Sequence, residues 1–236
     1  FAQACEGLRA TVVEPGVDWP DSIDIPGDRP LRSIAVVGAL GAHKGKQRLL
    51  RWLAHPGAAA YRWTLIGYTE DQLQPGWIAE GRMWVHGPFD AARTAHWLRH
   101  YAVELVLFPN QLAESFSYAL SDVWAAGVPV LVPDCGALGE RVRAHGGGAL
   151  LADPDDAAAL MRQLDQMRAS ALVAEWETQI QSRRAAMAPS KQGMVAAMDA
   201  QYARLPSTRG DNPAAAMARL QPWLRTQLAD VVFRHE

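Results

Sequence analysis

The stretch VELVLFPNQLAESFSYALSDVWAAGVPVLV, residues 103–132, decides the fold. It opens on the apolar run Val103–Phe108 and closes on a second run, Val128–Val132, with a helix-like segment near 115–126 between them. Strands joined through a helix are parallel, and strands apolar on both faces need cover on both sides. The same alternation continues outward. Upstream lie Ser33–Val37, Tyr61–Ile66 and Met83–Val85, with helix-like segments near 44–54 and 90–99; downstream lie a segment near 136–144, the run Gly148–Leu151 and a segment near 155–168. Strands alternating with helices predict an α/β domain, a Rossmann-like parallel sheet with helices on both faces. The strands end in Gly38, Gly67, Pro109 and Pro133, and ligands of such sheets sit outside the carboxyl ends of the strands.

The chain has 236 residues, 49 % hydrophobic and 20 % charged, which excludes a disordered or collagen-like polymer. A net charge of −2 speaks against nucleic acid as a partner, since phosphates need an excess of positive charge. Twenty Arg against three Lys, beside abundant Ala, reads as a GC-rich coding bias rather than a binding surface. Cys5 and Cys135 make neither a disulfide framework nor a metal quartet and read as free thiols of a reducing compartment. No apolar run reaches the roughly 20 residues that span a bilayer, and no signal peptide is visible, so a cytoplasmic location is expected. The chain opens on Phe1 rather than Met and reads as part of a longer protein.

Four regions are expected. Residues 1–30, rich in Pro and Gly, read as a hinge; 31–170 hold the α/β domain; 171–205 form a helical extension; and 206–236 hold a linker and an amphipathic helix. That last helix carries Met217, Leu220, Leu224, Leu228 and Val231 at steps of three and four, with Asn212 as its cap.

Chemistry is sought in the loops. The first strand runs into Gly38-Ala-Leu-Gly41-Ala-His-Lys44-Gly45, followed by a helix. Glycines let a ligand approach the backbone, a helix N-terminus offers unpaired N–H groups, and lysine suits phosphate oxygens. The spacing is neither a dinucleotide fingerprint nor a P-loop, and taken alone it fits a βα turn with a solvated lysine better than a phosphate site. In the deciding stretch Glu114 and Asp122 stand eight residues apart, which on a helix is about 12 Å and 80° of rotation. With the helix beginning at Glu114, an extended ligand could lay a sugar on Glu114, a diphosphate over the N–H groups of Phe116 and Ser117, and a ribose on Asp122. The plain alternative makes Glu114 a charge complementing the helix dipole and Asp122 a solvated face residue.

The pair of carboxylates, the following Ala126-Gly-Val-Pro-Val-Leu131 and then Gly136-Ala-Leu-Gly-Glu140-Arg-Val142 resemble the carboxy-terminal half of GT-B glycosyltransferases of family four. The Gly38–Gly45 loop is similar to that family's first βα loop, and Ile66–Asp71 and His86–Asp90 fall in order where its second and third strands end; the likeness covers about residues 33–168. It implies one half of a GT-B fold with a helical C-terminal tail. The implied activity is that of the donor-binding half of a retaining, hexosyltransferase-type enzyme, working on a bacterial lipopolysaccharide, O-antigen or exopolysaccharide. Lys44 and Glu114 would be catalytic, Lys44 on the donor phosphate and Glu114 on the donor sugar. Gly38, Gly41, Ser115, Phe116, Ser117 and Tyr118 would join them around the nucleotide-sugar, Asp122 would take the ribose, and the loops at Gly67 and Gly87 would surround the base. Glu140 fits either the pocket rim or an ordinary first turn. No cofactor and no metal are expected; the UDP- or GDP-linked donor is substrate. An acceptor-binding domain is expected upstream of Phe1, with peripheral association at the inner face of the cytoplasmic membrane through that half. Ala39 stands where many relatives carry Arg, Asp122 is one methylene shorter than the usual Glu, and Ala113 replaces a frequent Pro. These departures leave room for a second function, a non-catalytic binding or assembly module of the same origin. A nicotinamide enzyme is disfavoured by the missing Gly-x-Gly-x-x-Gly turn.

Overall fold

The computed structural model describes residues 31–187 and 191–202; the expected hinge at 1–30, the linker and helix at 206–236, and Cys5 lie outside the described residues. In chain order the elements are β1 (Ser33–Leu40), α1 (Lys46–Ala54), β2 (Arg62–Thr69), β3 (Gly76–Ile78), β4 (Met83–Val85), α2 (Thr94–His100), β5 (Leu105–Leu107) and α3 (Tyr118–Ala125). There follow β6 (Val130–Val132), α4 (Gly136–His145), β7 (Gly148–Leu150), α5 (Ala157–Arg168), α6 (Leu172–Met187) and α7 (Lys191–Tyr202). The sheet order is β3-β4-β2-β1-β5-β6-β7. Every neighbouring pair is parallel except β3 with β4. The α/β fold read from the alternation is the fold observed.

Both faces of the sheet are buried, as the two-sided apolar strands require. On β1, Ile34 and Val36 join a core with Leu49, Trp52 and Leu53 of α1 and Leu160 and Leu164 of α5. Ala35, one residue out of phase and so on the opposite face, joins a second core with Leu98 of α2, Leu120, Val123 and Trp124 of α3 and Leu138 of α4. Each fully buried leucine contributes about 1.5–3 kcal/mol of transfer free energy, so this two-layer burial dominates the stability of the domain.

Three local features differ from the expectation. β1 and β2 do not stop at their glycines. Gly38 and Gly67 pair in register, and the strands continue to Leu40 and Thr69. A Cβ at Gly67 would lie 2.0 Å from the Gly38 carbonyl oxygen, so this glycine permits a close crossing rather than a strand end. Next, β3 is a strand the sequence does not announce, since three residues show no period; it pairs antiparallel on the sheet edge, with Trp77 opposite Trp84. Finally, α3 begins at Tyr118, not at Glu114. Ser117 has φ +66°, in the left-handed region, which interrupts the right-handed run and leaves Glu114 in the loop before the helix.

From β1 the chain moves outward through β2 to β4 and β3, then returns to β5 on the other side of β1. The loops after β1 and β5 therefore diverge, which opens a crevice at the carboxyl ends of these two neighbouring strands. Both chemically distinctive loops of the sequence lead into it.

Candidate functional site

The crevice is a shallow cleft whose lining includes Ala39, Lys44, Asn110, Glu114, Ser117 and Ala119. Lys44 closes a short 3-10 turn, Ala42–Lys44, between β1 and α1. Its Nζ stands 3.5 Å from Glu114 Oε1. Asn110 is buried, and its Nδ2 donates to the same carboxylate oxygen at 2.9 Å. The Lys44 side chain is 43 % exposed and that of Glu114 24 %, so the pair adds little to stability and both groups stay open to a ligand. An ammonium and a carboxylate on one cleft suit a ligand with an anionic end and neutral hydroxyls.

The two loops are locked together. At Gly45, φ is +85° and a Cβ would fall 1.7 Å from the Pro109 carbonyl oxygen, so only glycine lets the start of α1 lie against the β5–α3 loop. Arg48, one turn further along α1 and buried, donates through Nη1 to the carbonyls of Pro109 (3.2 Å) and Asn110 (2.5 Å). Its other face meets Asp155, Nε to Oδ1 at 3.1 Å and Nη2 to Oδ2 at 3.0 Å. The guanidinium bonds of Arg48, with Arg51 nearby, hold the Asp155 carboxyl below its ordinary pKa.

The far end of the same loop rests on α4. Arg141, also buried, donates through Nη1 to the carbonyls of Phe116 (2.9 Å) and Ser117 (3.1 Å), and the Ala137 amide donates to the Glu114 carbonyl at 3.0 Å. Ser117 is buried, and among the described residues its Oγ has no hydrogen-bond partner. The amides of Ser117, Tyr118 and Ala119, at the N-terminus of α3, are likewise not taken up by any hydrogen bond among the described residues. A buried orphan hydroxyl and free helix-start amides on one cleft wall form an anion-binding arrangement.

Of the residues singled out from sequence, Lys44, Glu114 and Ser117 line the cleft, and Ser115, Phe116 and Tyr118 belong to its wall segment. Asp122 is half-buried on α3, one turn beyond Tyr118, and does not line the cleft. Gly38 and Gly67 cross one another on adjacent strands, the Gly87 amide donates to the Gly67 carbonyl at 2.8 Å, and Gly41 caps the turn that carries Lys44. Glu140 is exposed on α4. Beside Gly87, His86 packs on Trp97 (ring centroids 4.0 Å) and bonds the Tyr101 hydroxyl (2.9 Å); burial, then His100 and Arg93, lower its pKa. Sequence reasoning missed Asn110, Arg48 and Arg141. No spacing marks the two arginines, because they bond backbone carbonyls and side chains of distant segments, and Asn110 meets Glu114 four residues on in a loop with no period of its own.

Residues 32–170 match the family described as glycosyl transferases group 1. The chain belongs to this family. This group 1 domain shares its Rossmann-like α/β fold with solved GT-B glycosyltransferases. The sucrose-phosphate synthase of Thermosynechococcus elongatus is 20 % identical at a TM-score of 0.54, over 77 % of this chain and 46 % of that one. Anabaena HepE in complex with UDP is 16 % identical at 0.59, over 75 % of this chain and 50 % of that one. WaaG, a glycosyltransferase involved in lipopolysaccharide biosynthesis, is 17 % identical at 0.58, over 80 % of this chain and 55 % of that one. The group 1 chain thus spans about half the length of the solved relatives it matches. No curated protein matches it. Among the described residues no helix is long and apolar enough to cross a membrane.

Proposed function

We propose that this chain is the donor nucleotide-sugar-binding half of a retaining, hexosyltransferase-type glycosyltransferase that builds a bacterial surface polysaccharide. The observation that carries the reading is the meeting of Lys44 and Glu114, 3.5 Å apart, on a cleft walled by the free N-terminus of α3. Transfer breaks the bond between the anomeric carbon and the diphosphate oxygen, and the bonding electrons leave with the diphosphate. The Lys44 ammonium and the amides of Ser117–Ala119 would take up that growing charge, which is where fixed donors accelerate such a step most. Glu114, its Oε1 already oriented by Asn110, would accept hydrogen bonds from the sugar hydroxyls. Asp122 would reach the ribose, and the loops that follow Gly67 and Gly87 would surround the base. The donor is UDP- or GDP-linked and is substrate, not cofactor. A second domain would bind the acceptor, in keeping with the half-length match to solved relatives, and the assembled enzyme would work at the cytoplasmic face of the inner membrane.

Calorimetric titration of the Glu114→Ala and Asp122→Ala chains tests the ligand's direction. Asp122→Ala should weaken UDP or GDP binding by about 1–2 kcal/mol through the ribose. Glu114→Ala should leave the free diphosphate nearly unaffected and remove the extra affinity of UDP-glucose or GDP-mannose. A loss of nucleotide affinity in Glu114→Ala as large as in Asp122→Ala would overturn the proposed direction of the ligand. Wild-type chain that binds neither diphosphate would leave the non-catalytic module as the better reading.

A further inference from the structure

We propose that Arg141 is a positioning residue for the donor's diphosphate: its buried guanidinium turns the 116–118 backbone so that two peptide N–H groups face the cleft. The proposal deepens the donor-binding reading above and rests on it.

The argument starts from peptide geometry. In a trans peptide the C=O and N–H of one plane point in opposite directions, and no cis peptide occurs among the described residues. The carbonyls of Phe116 and Ser117 share their planes with the N–H groups of Ser117 and Tyr118. Arg141 Nη1 draws in both carbonyls, at 2.9 and 3.1 Å. Both N–H groups are therefore aimed away from Arg141, and neither is taken up by a hydrogen bond among the described residues. Ser117, between them, lines the cleft with its buried and unpartnered Oγ.

The turn does not hold this shape by itself. Ser117 has φ +66°, a conformation that a residue with a Cβ adopts only at a cost. Its carbonyl, at the N-cap of α3, accepts from Arg141. Two further bonds fix the guanidinium: Nη2 donates to Ser121 Oγ of α3 at 2.8 Å and to the carbonyl of Met187, the last residue of α6, at 3.1 Å. The Phe116 ring lies over the cation, with 4.2 Å from Cζ to its centroid. A planar fork with five N–H donors can serve these four acceptors at once, whereas a lysine ammonium cannot. Arg141 touches no ligand in this arrangement; it acts through the turn.

The test uses the full 236-residue chain, 15N-labelled, as wild type, Arg141→Lys and Arg141→Met. UDP and uridine, then GDP and guanosine, are titrated by calorimetry, and the Ser117 and Tyr118 amide resonances are followed with and without ligand. Both variants should lose diphosphate affinity by about tenfold or more while nucleoside affinity changes less than about twofold, and the two amide resonances should move even without ligand. Unmoved amide resonances, or equal losses for nucleoside and diphosphate, would overturn the role of Arg141 and leave the donor site standing. Wild-type chain that binds neither UDP nor GDP would overturn the donor reading, and with it the ligand assigned here. Should neither Arg141 variant fold, Ser121→Ala removes one acceptor of the guanidinium and carries the test. It should cost about threefold in UDP affinity with uridine unchanged, and unchanged UDP affinity would overturn the proposal.

Discussion

Lys44 separates binding from stability more cleanly than any other residue of the cleft. Its side chain is 43 % exposed and its charge partner, Glu114, is 3.5 Å away, a spacing at which a partly solvated pair contributes little to folding. Against a diphosphate the same ammonium would form charge-assisted bonds. Lys44→Ala should therefore weaken UDP or GDP binding by about 1.5–3 kcal/mol and leave the melting temperature nearly unchanged. Titration beside a melting curve checks both halves, and a large fall in melting temperature at constant affinity would make Lys44 structural. At this scale the sequence displayed Lys44 and Glu114 openly, because a lysine after glycines and a carboxylate after a strand stand out in one dimension. Asn110, Arg48 and Arg141 did not. The twenty arginines looked like composition, yet the fold buries two of them to hold the loop that carries Glu114.

Among the elements, the start of α1 and the β5–α3 loop act as one unit. Gly45 has φ +85°, and a Cβ there would meet the Pro109 carbonyl oxygen at 1.7 Å, a backbone atom that cannot swing aside. Gly45→Ala should cost about 2–4 kcal/mol, from left-handed strain together with overpacking. It should also displace Lys44 from Glu114. Chemical denaturation measures the first effect and diphosphate titration the second; a variant as stable as the wild type would show that the two loops yield independently. Apart from β3, the strands and helices of the α/β domain were legible to within a few residues, since two-sided apolar runs and helical periodicity are local signals. The start of α3 was not. Residues 114–117 have helix-compatible side chains, but contacts from α4 hold them in the loop: Arg141 on the Phe116 and Ser117 carbonyls and the Ala137 amide on the Glu114 carbonyl, with Ser117 left-handed before Tyr118.

For the molecule as a whole, the site exists because β1 and β5 are neighbours whose following helices pack on opposite faces of the sheet. A ligand that bridges the two loops should stabilise the domain through linkage. At a concentration of about 100 times its dissociation constant, UDP or GDP should add about 2.7 kcal/mol. For a chain of this size that corresponds to a rise of about 5–10 °C in melting temperature. The matching nucleoside at equal concentration should shift it far less. Thermal melts with the four ligands decide the matter, and equal shifts for nucleoside and diphosphate would remove the phosphates from the site.

Alternation of apolar runs and helical segments determined the α/β class, and the glycine and carboxylate loops determined where chemistry would be sought. Both are properties of neighbouring residues, set by period, turn chemistry and side-chain type. The tertiary structure alone decided three things: that the strand order reverses at β1, that Lys44 and Glu114, seventy positions apart, meet at 3.5 Å, and that Arg48 and Arg141 hold the loop between them. Those contacts join segments whose separation along the chain carries no signal of its own. They form because burying both faces of the sheet leaves each helix one side to occupy, and each buried guanidinium then satisfies its donors on whatever carbonyls that packing brings within reach.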